Sequence, residues 1–248
     1  MRPGDLTQNK HSKDWERIFM KLLIDDADIE KIKRLYDYYP IDGVSTNPSI
    51  LARTGRKPYE VLAQIRAFIG PEADLHAQVI SRDASGMVRE GRRLAEELGK
   101  NIYIKIPAVP EGIKAMRLLS GEGYHVTATA IYTPQQAFLS GKAGADYAAP
   151  YVNRMDNLGG DGVDAAKRIH DIFRKNGLKT ELLAASFRNT RQLLELIEYG
   201  VGAATAAPDI IDALLKNPTV TAAVEAFIAD FEGLYGPGKT MLDQDMLK

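Results

Sequence analysis

The chain has 248 residues, 45% hydrophobic and 26% charged, ordinary values for one large globular domain or two small ones. Lys and Arg number 32 against 33 Asp and Glu, so a net charge of -1 offers nucleic acid no basic excess, and no apolar run of about eighteen residues reads as a membrane span. With no cysteine and four histidines (His11, His76, His125, His170), disulfides, thiolate metal sites and cysteine nucleophiles drop out, and no HExxH-type pair marks a zinc site.

Residues 1–19 are polar and lack the apolar core of a signal peptide, so they read as an extension outside the fold. From Met20, short apolar runs alternate with longer helical patterns. Residues 22–26 read as a first strand and 27–38 as a helix with Ile29, Ile32, Leu35 and Tyr36 on one face. Residues 43–47 form a second strand ended by Pro48, and 59–69 the next helix. A third strand (75–80) precedes a helix over 84–98. A fourth (102–107) precedes a helix over 112–119. The β-rich stretch 125–132 leads to a helix opening at Pro134, a favourable first helical position. A sixth strand (147–152), a Gly-rich loop and a helix over 162–173 follow, then a seventh strand (182–187) with 192–197 helical. The eighth (203–207) is built of small residues and is followed by helices from Asp209 and over 220–231.

Strands alternating with helices imply right-handed βαβ units and a parallel sheet. About eight such units fit a closed (β/α)8 TIM barrel, a single domain over 20–235 with a C-terminal helix and a tail over 236–248. An open doubly wound sheet would want a GxGxxG turn after its first strand, where Asp25-Asp26-Ala27-Asp28 stands instead.

Chemistry in such a barrel sits at the C-terminal ends of the strands. Those positions carry Asp25, Thr46, Asn47, Gln78, Lys105, Thr129, Tyr151 with Arg154, Ser186 and Thr205. A lone Thr or Ser there is more often a satisfied hydrogen bonder than a reactive group, but the set converges on one rim. Lys105 lies between Ile104 and Ile106 in a strand that a parallel barrel buries on both faces. Spacing alone leaves two readings level: a lysine snorkelling from the strand end, or a desolvated amine able to attack a carbonyl and form a Schiff base. The Gly159-Gly160-Asp161-Gly162 loop is read first as a turn into its helix, with anion-binding backbone N–H groups as the second reading.

Four segments then carry a resemblance: Gly43-Val44-Ser45-Thr46-Asn47-Pro48-Ser49, Ile104-Lys105-Ile106-Pro107, Ala148-Ala149-Pro150-Tyr151-Val152-Asn153-Arg154 and Ala184-Ala185-Ser186-Phe187-Arg188. They resemble, in order and at matching spacing, the signature segments of the transaldolase family. The short chain is similar to its fructose-6-phosphate aldolase-like branch. The resemblance implies that Lys105 is the Schiff-base lysine and that Asp25 assists C–C cleavage. It further implies that Asn47 and Thr46 bind the dihydroxyacetone part, and that Thr129 holds a catalytic water with Gln78 or Tyr151. Arg154 and Ser186 would then bind the anionic end of the substrate.

Gln78 and Tyr151 resemble the aldolase pairing, where the larger transaldolases carry Glu and typically Phe. The resemblance also implies no cofactor, a sugar phosphate substrate and a homo-oligomer, pentamer or decamer. A cytoplasmic, metal-free enzyme is expected. The small residues of the eighth strand suggest a roomy acceptor pocket. The leading reading is a class I aldolase joining dihydroxyacetone to glyceraldehyde 3-phosphate. A transaldolase, or a relative acting on a sulfonated ketose, is the alternative. A non-catalytic sugar-phosphate-binding barrel is the reading from another class, opposed by the intact set Lys105, Asp25, Thr129 and Tyr151.

Overall fold

The computed structural model describes residues 20–99 and 101–244. The extension expected over residues 1–19 lies outside the described residues. The strands are β1 (Lys21–Asp25), β2 (Gly43–Ser45), β3 (Asp74–Gln78), β4 (Ile102–Pro107), β5 (Val126–Ile131), β6 (Tyr147–Pro150), β7 (Glu181–Ala184) and β8 (Ala203–Ala206). Each pairs in parallel with the next, and β8 closes on β1, so the expected (β/α)8 TIM barrel is what the chain forms. The chain divides into two compact units, one ending at Ile211 and the other starting at Asp212.

The helices of the first unit are α1 (Ile29–Tyr38), α2 (Pro48–Arg53), α3 (Pro58–Ile69), α4 (Ala84–Leu98), α5 (Pro110–Gly121), α6 (Pro134–Lys142), α7 (Val152–Asn157), α8 (Gly162–Lys175) and α9 (Thr190–Tyr199). A short α10 (Pro208–Ala213) crosses the boundary, and the second unit holds α11 (Pro218–Tyr235) and a 3-10 turn (Met241–Asp243). Local chemistry sets several starts. Asp28 caps α1 by accepting from the N–H groups of Glu30 and Lys31, so that helix opens after residue 27. Thr133 and Gln136 make a reciprocal capping box on α6, with Pro134 in its first turn. Asp161 accepts from Asp164 N at 2.8 Å and caps α8, so the Gly-rich loop is a turn into that helix.

Two short helices were absent from the sequence reading. Pro48 does not merely stop a strand: β2 ends at Ser45, and Pro48 opens α2 with Asn47 as its cap. Likewise β6 ends at Pro150, Tyr151 makes a lone bridge to Ala185, and α7 begins at Val152. Each of these helices has six residues, too few to show a 3.6-residue period. Both place site residues.

Strand alternation divides the side chains into two cores. Ile24, Val44, Ile104, Ile106, Ala204 and Ala206 join the larger cluster between barrel and helices, while Leu23, Tyr147, Ala149, Leu183 and Ala203 fill the barrel itself. The ladder registers arrange the inward residues in layers drawn from alternate strands. One layer holds Leu23, His76, Thr127 and Leu183. Above it lie Ser45, Lys105, Ala149 and Thr205, and above those Asp25, Gln78, Thr129 and Ala185. The small side chains of β8 divide between the two faces. Its Ala204 and Ala206 face the helices, and Thr205 is the strand's inward residue beside the site. Among the described residues no helix is long and apolar enough to cross a membrane.

Candidate active site

Lys105 sits on β4 in the layer that closes the barrel interior, with 4% of its surface accessible. It does not snorkel into solvent. Its Nζ donates to Ser45 Oγ and to the Thr46 carbonyl, each at 2.9 Å. Burial pushes the amine below the ordinary lysine range, and the Asp25 carboxylate opposes that shift by favouring the ammonium. Desolvation wins, so the amine is the free base at lower pH than a lysine in water.

Asp25 ends β1 one layer higher. Burial drives its carboxyl upward, Lys105 pulls it down, Asp26 pushes it up again, and Arg53 and Arg154 lower it. The net direction is upward, which suits a group that must take and return a proton near neutrality. Asp26 does more than repel. Its Oδ1 accepts from Ala27 N at 2.7 Å and Asp28 N at 2.9 Å, which builds the turn from β1 into α1. Gln78 ends β3 as the ladder partner of Lys105, which sets the two side by side on the inner wall.

On β5, the strand next to that of Lys105, Thr129 Oγ1 lies 3.0 Å from Tyr151 OH. Thr129 is fully buried in β5, and the ladder to β6 shifts register just after it, with Ala130 at φ 55°. Such a bulge re-aims the strand end, here beneath Tyr151. The Tyr151 ring lies edge-on to Tyr132, with centroids 5.6 Å apart, and the Arg154 guanidinium stands 4.4 Å over it. Arg154 Nη1 also donates to Tyr132 OH at 3.4 Å. The Ser186 carbonyl accepts from Asn153 N at 2.8 Å, so the end of β7 anchors the first turn of α7 next to Arg154. Ser186 has φ 63° and Ala130 φ 55°; among the described residues, the two non-glycine residues in left-handed backbone thus stand at strand ends beside the site.

Asn47 Oδ1 accepts from Ile50 N at 3.0 Å as the cap of α2, which turns its amide NH2 into the donor end. Thr46 is wholly buried and donates its hydroxyl to the His76 carbonyl at 2.9 Å. What it offers Lys105 is its own carbonyl. The structure therefore gathers Asp25, Gln78, Lys105, Thr129 and Tyr151 around one mouth, with Asn47 at one side and Arg154 and Ser186 at another. Sequence reasoning missed Ser45, the direct hydroxyl partner of the lysine, which it quoted only as part of a segment. The available signal was alternation: with Lys105 inward, the inward position of β2 is residue 45. Among the described residues no three His, Asp or Glu side chains form a metal-binding group.

The arrangement sets a buried amine beside carboxyl, amide and hydroxyl groups that suit carbonyl chemistry. The comparisons agree with that chemistry. The description of the matching family is "Transaldolase/Fructose-6-phosphate aldolase", and the match covers residues 22–241. A probable transaldolase of Nitrosopumilus maritimus (strain SCM1) is 37% identical over 214 residues, 86% of this chain and 95% of the relative. A probable transaldolase of Methanococcus maripaludis (strain C7) is 39% identical over 213 residues, 86% of this chain and 98% of the relative. A barrel closed on a buried lysine, matched along nearly its whole described length, belongs to the transaldolase/fructose-6-phosphate aldolase family of Schiff-base enzymes.

Proposed function

We propose that this enzyme is a class I aldolase that cleaves and forms a ketose phosphate such as fructose 6-phosphate, with dihydroxyacetone and glyceraldehyde 3-phosphate as the pieces. The observation that carries the reading is the contact between Tyr151 OH and Thr129 Oγ1, with Thr129 on the strand next to that of Lys105. In the cleavage direction, neutral Lys105 adds to the ketose C2 carbonyl, and the carbinolamine loses water to give an iminium. Asp25 takes the proton of the C4 hydroxyl, the C3–C4 bond breaks, and its electron pair flows to the iminium as an enamine. The aldehyde phosphate departs past Arg154 and Ser186, a cation and a hydroxyl suited to an anionic group.

The enamine then needs a proton at C3 before water can free dihydroxyacetone. Tyr151 supplies it directly or through a water held with Thr129, and Gln78 stays neutral beside Lys105. Thr46 and Asn47 hold the dihydroxyacetone part, Asn47 through its amide. The resemblance further supports a homo-oligomer, pentamer or decamer, and a cytoplasmic location.

A transaldolase is the second reading, favoured by the names of both relatives. There the enamine waits for an acceptor aldehyde. One experiment separates the two: fructose 6-phosphate is supplied with and without erythrose 4-phosphate, and borohydride trapping is run in parallel. An aldolase releases dihydroxyacetone without the second sugar, and Tyr151→Phe suppresses that release more than transfer. Product only in the presence of erythrose 4-phosphate, or equal loss of both activities in Tyr151→Phe, rejects the aldolase. A trapped adduct absent from Lys105 rejects both readings.

A further inference from the structure

Lys105 Nζ spends two donor positions inside the protein, and neither partner is the carboxylate next to it. Ser45 Oγ and the Thr46 carbonyl take them at 2.9 Å each, on wholly buried residues. Hydrogen bonds from an ammonium are shorter and stronger than those from a neutral amine, so this pair selects for the protonated form. The Thr46 carbonyl is fixed in place, because that residue's N–H and hydroxyl both bind the His76 carbonyl at 2.9 Å. Ser45 is the side-chain half of the pair.

We propose that Ser45 is a positioning residue for Lys105: its hydroxyl parks the resting ammonium and sets the pH at which the amine becomes free to react. The proposal rests on the Schiff-base reading and deepens it. The remaining members of the layer cannot replace Ser45. Ala149 has no polar side-chain atom, and Thr205 Oγ1 makes no hydrogen bond. The groups facing Lys105 from other elements are also accounted for. Asp25 on β1 favours the ammonium, and is itself influenced by Asp26, Arg53 and Arg154. His76 on β3 lies one layer below and is held neutral by burial. Gln78 on β3 and Thr127 and Thr129 on β5 have neutral side chains, and the Tyr151 hydroxyl after β6 is paired with Thr129.

The direction follows from the donor count. Deleting the Ser45 oxygen removes a bond that the ammonium makes better than the amine. The amine then frees itself at lower pH, although its aim at the substrate carbonyl is poorer. In the pH profile of kcat/KM, Ser45→Ala therefore moves the acidic limb to lower pH while its plateau falls. At a pH on the wild-type acidic limb, the variant keeps about three- to tenfold more of its own plateau than the wild type does. Ser45→Thr retains the oxygen and restores the wild-type limb.

An unmoved limb in Ser45→Ala, a limb moved to higher pH, or a Ser45→Thr profile matching that of Ser45→Ala would overturn the proposal. Borohydride trapping of wild type with dihydroxyacetone guards the underlying reading. An adduct on Lys105 with an unmoved limb rejects only the role of Ser45, whereas no adduct on Lys105 rejects the Schiff base as well.

Discussion

His76 is wholly buried one layer under Lys105, its ring stacked on Tyr103 at 4.6 Å and its Nδ1 2.9 Å from Thr127 Oγ1. Its Nε2 has no partner, and burial, then Lys105, hold the ring well below the ordinary histidine range of 6.5. The unfolded chain binds a proton below pH 6.5 that the folded chain refuses, so acid favours unfolding. Stability should fall by about 1.4 kcal/mol per pH unit below that point from this one residue. His76→Phe keeps a ring against Tyr103 and removes the titration. Urea unfolding at pH 5 and pH 7 should show a shallower pH dependence in the variant, even if its stability at pH 7 is lower because Thr127 loses its partner. Equal slopes would mean that another group carries the acid response. At this scale the sequence was legible where a residue type was out of place. A lysine between two isoleucines and an acid closing a strand are costly in a barrel wall, and so stand out. Ser45 and His76 did not, since a serine within a strand or a lone histidine is ordinary until the register shows what it faces.

Elements were legible where they were long. The apolar stripes that predicted the helices around the barrel are the faces packed on it, as with Ile32 and Leu35 of α1 or Met87, Val88 and Leu94 of α4. The two six-residue helices were not, because their order comes from caps and backbone bonds, not from a stripe: Asn47 for α2, the Ala185 and Ser186 carbonyls for α7. Another determinant invisible to periodicity is close approach. Gly112, in the first turn of α5, lies so near the end of β4 that a Cβ there would overlap the Pro107 carbonyl oxygen. Alanine in a free helix would gain about 1 kcal/mol over glycine. Here the obstacle is backbone that must move, and overpacking of that kind costs about 1–3 kcal/mol, so the balance is unfavourable. Pro107 is two residues beyond Lys105 on the same strand. Gly112→Ala should lower the melting temperature and slow borohydride trapping together. A melting temperature at or above that of wild type would show that α5 can slide off β4 at no cost.

At the scale of the whole molecule, the barrel and the C-terminal unit obey different rules of burial. In α11, Val220, Val224, Phe227 and Ile228 are all exposed, and none of its eighteen residues is buried. The tail after it folds back on the helix: Gly238 N donates to Glu232 Oε1 at 2.7 Å, and Thr240 caps the 3-10 turn at Met241–Asp243. A groove of about 380 Å³ remains between them, lined by Val224, Phe227, Ile228, Phe231 and Met241. A run of apolar side chains left in water along one helix is a surface that association would cover. Its occupant is expected to be a second copy of the chain, which carries the same apolar stripe. Replacing both Phe227 and Ile228 with Asp would put two charges at the centre of that surface, which is costly if it is buried between copies and nearly free if it is solvated. Sedimentation of the full chain should then give a pentamer or decamer for wild type and smaller species for the variant, with Lys105 trapping still measurable in each. A wild-type monomer across micromolar concentrations would remove the assembly altogether. An oligomer that the double substitution leaves intact would show that the copies meet through the barrel and that α11 faces solvent.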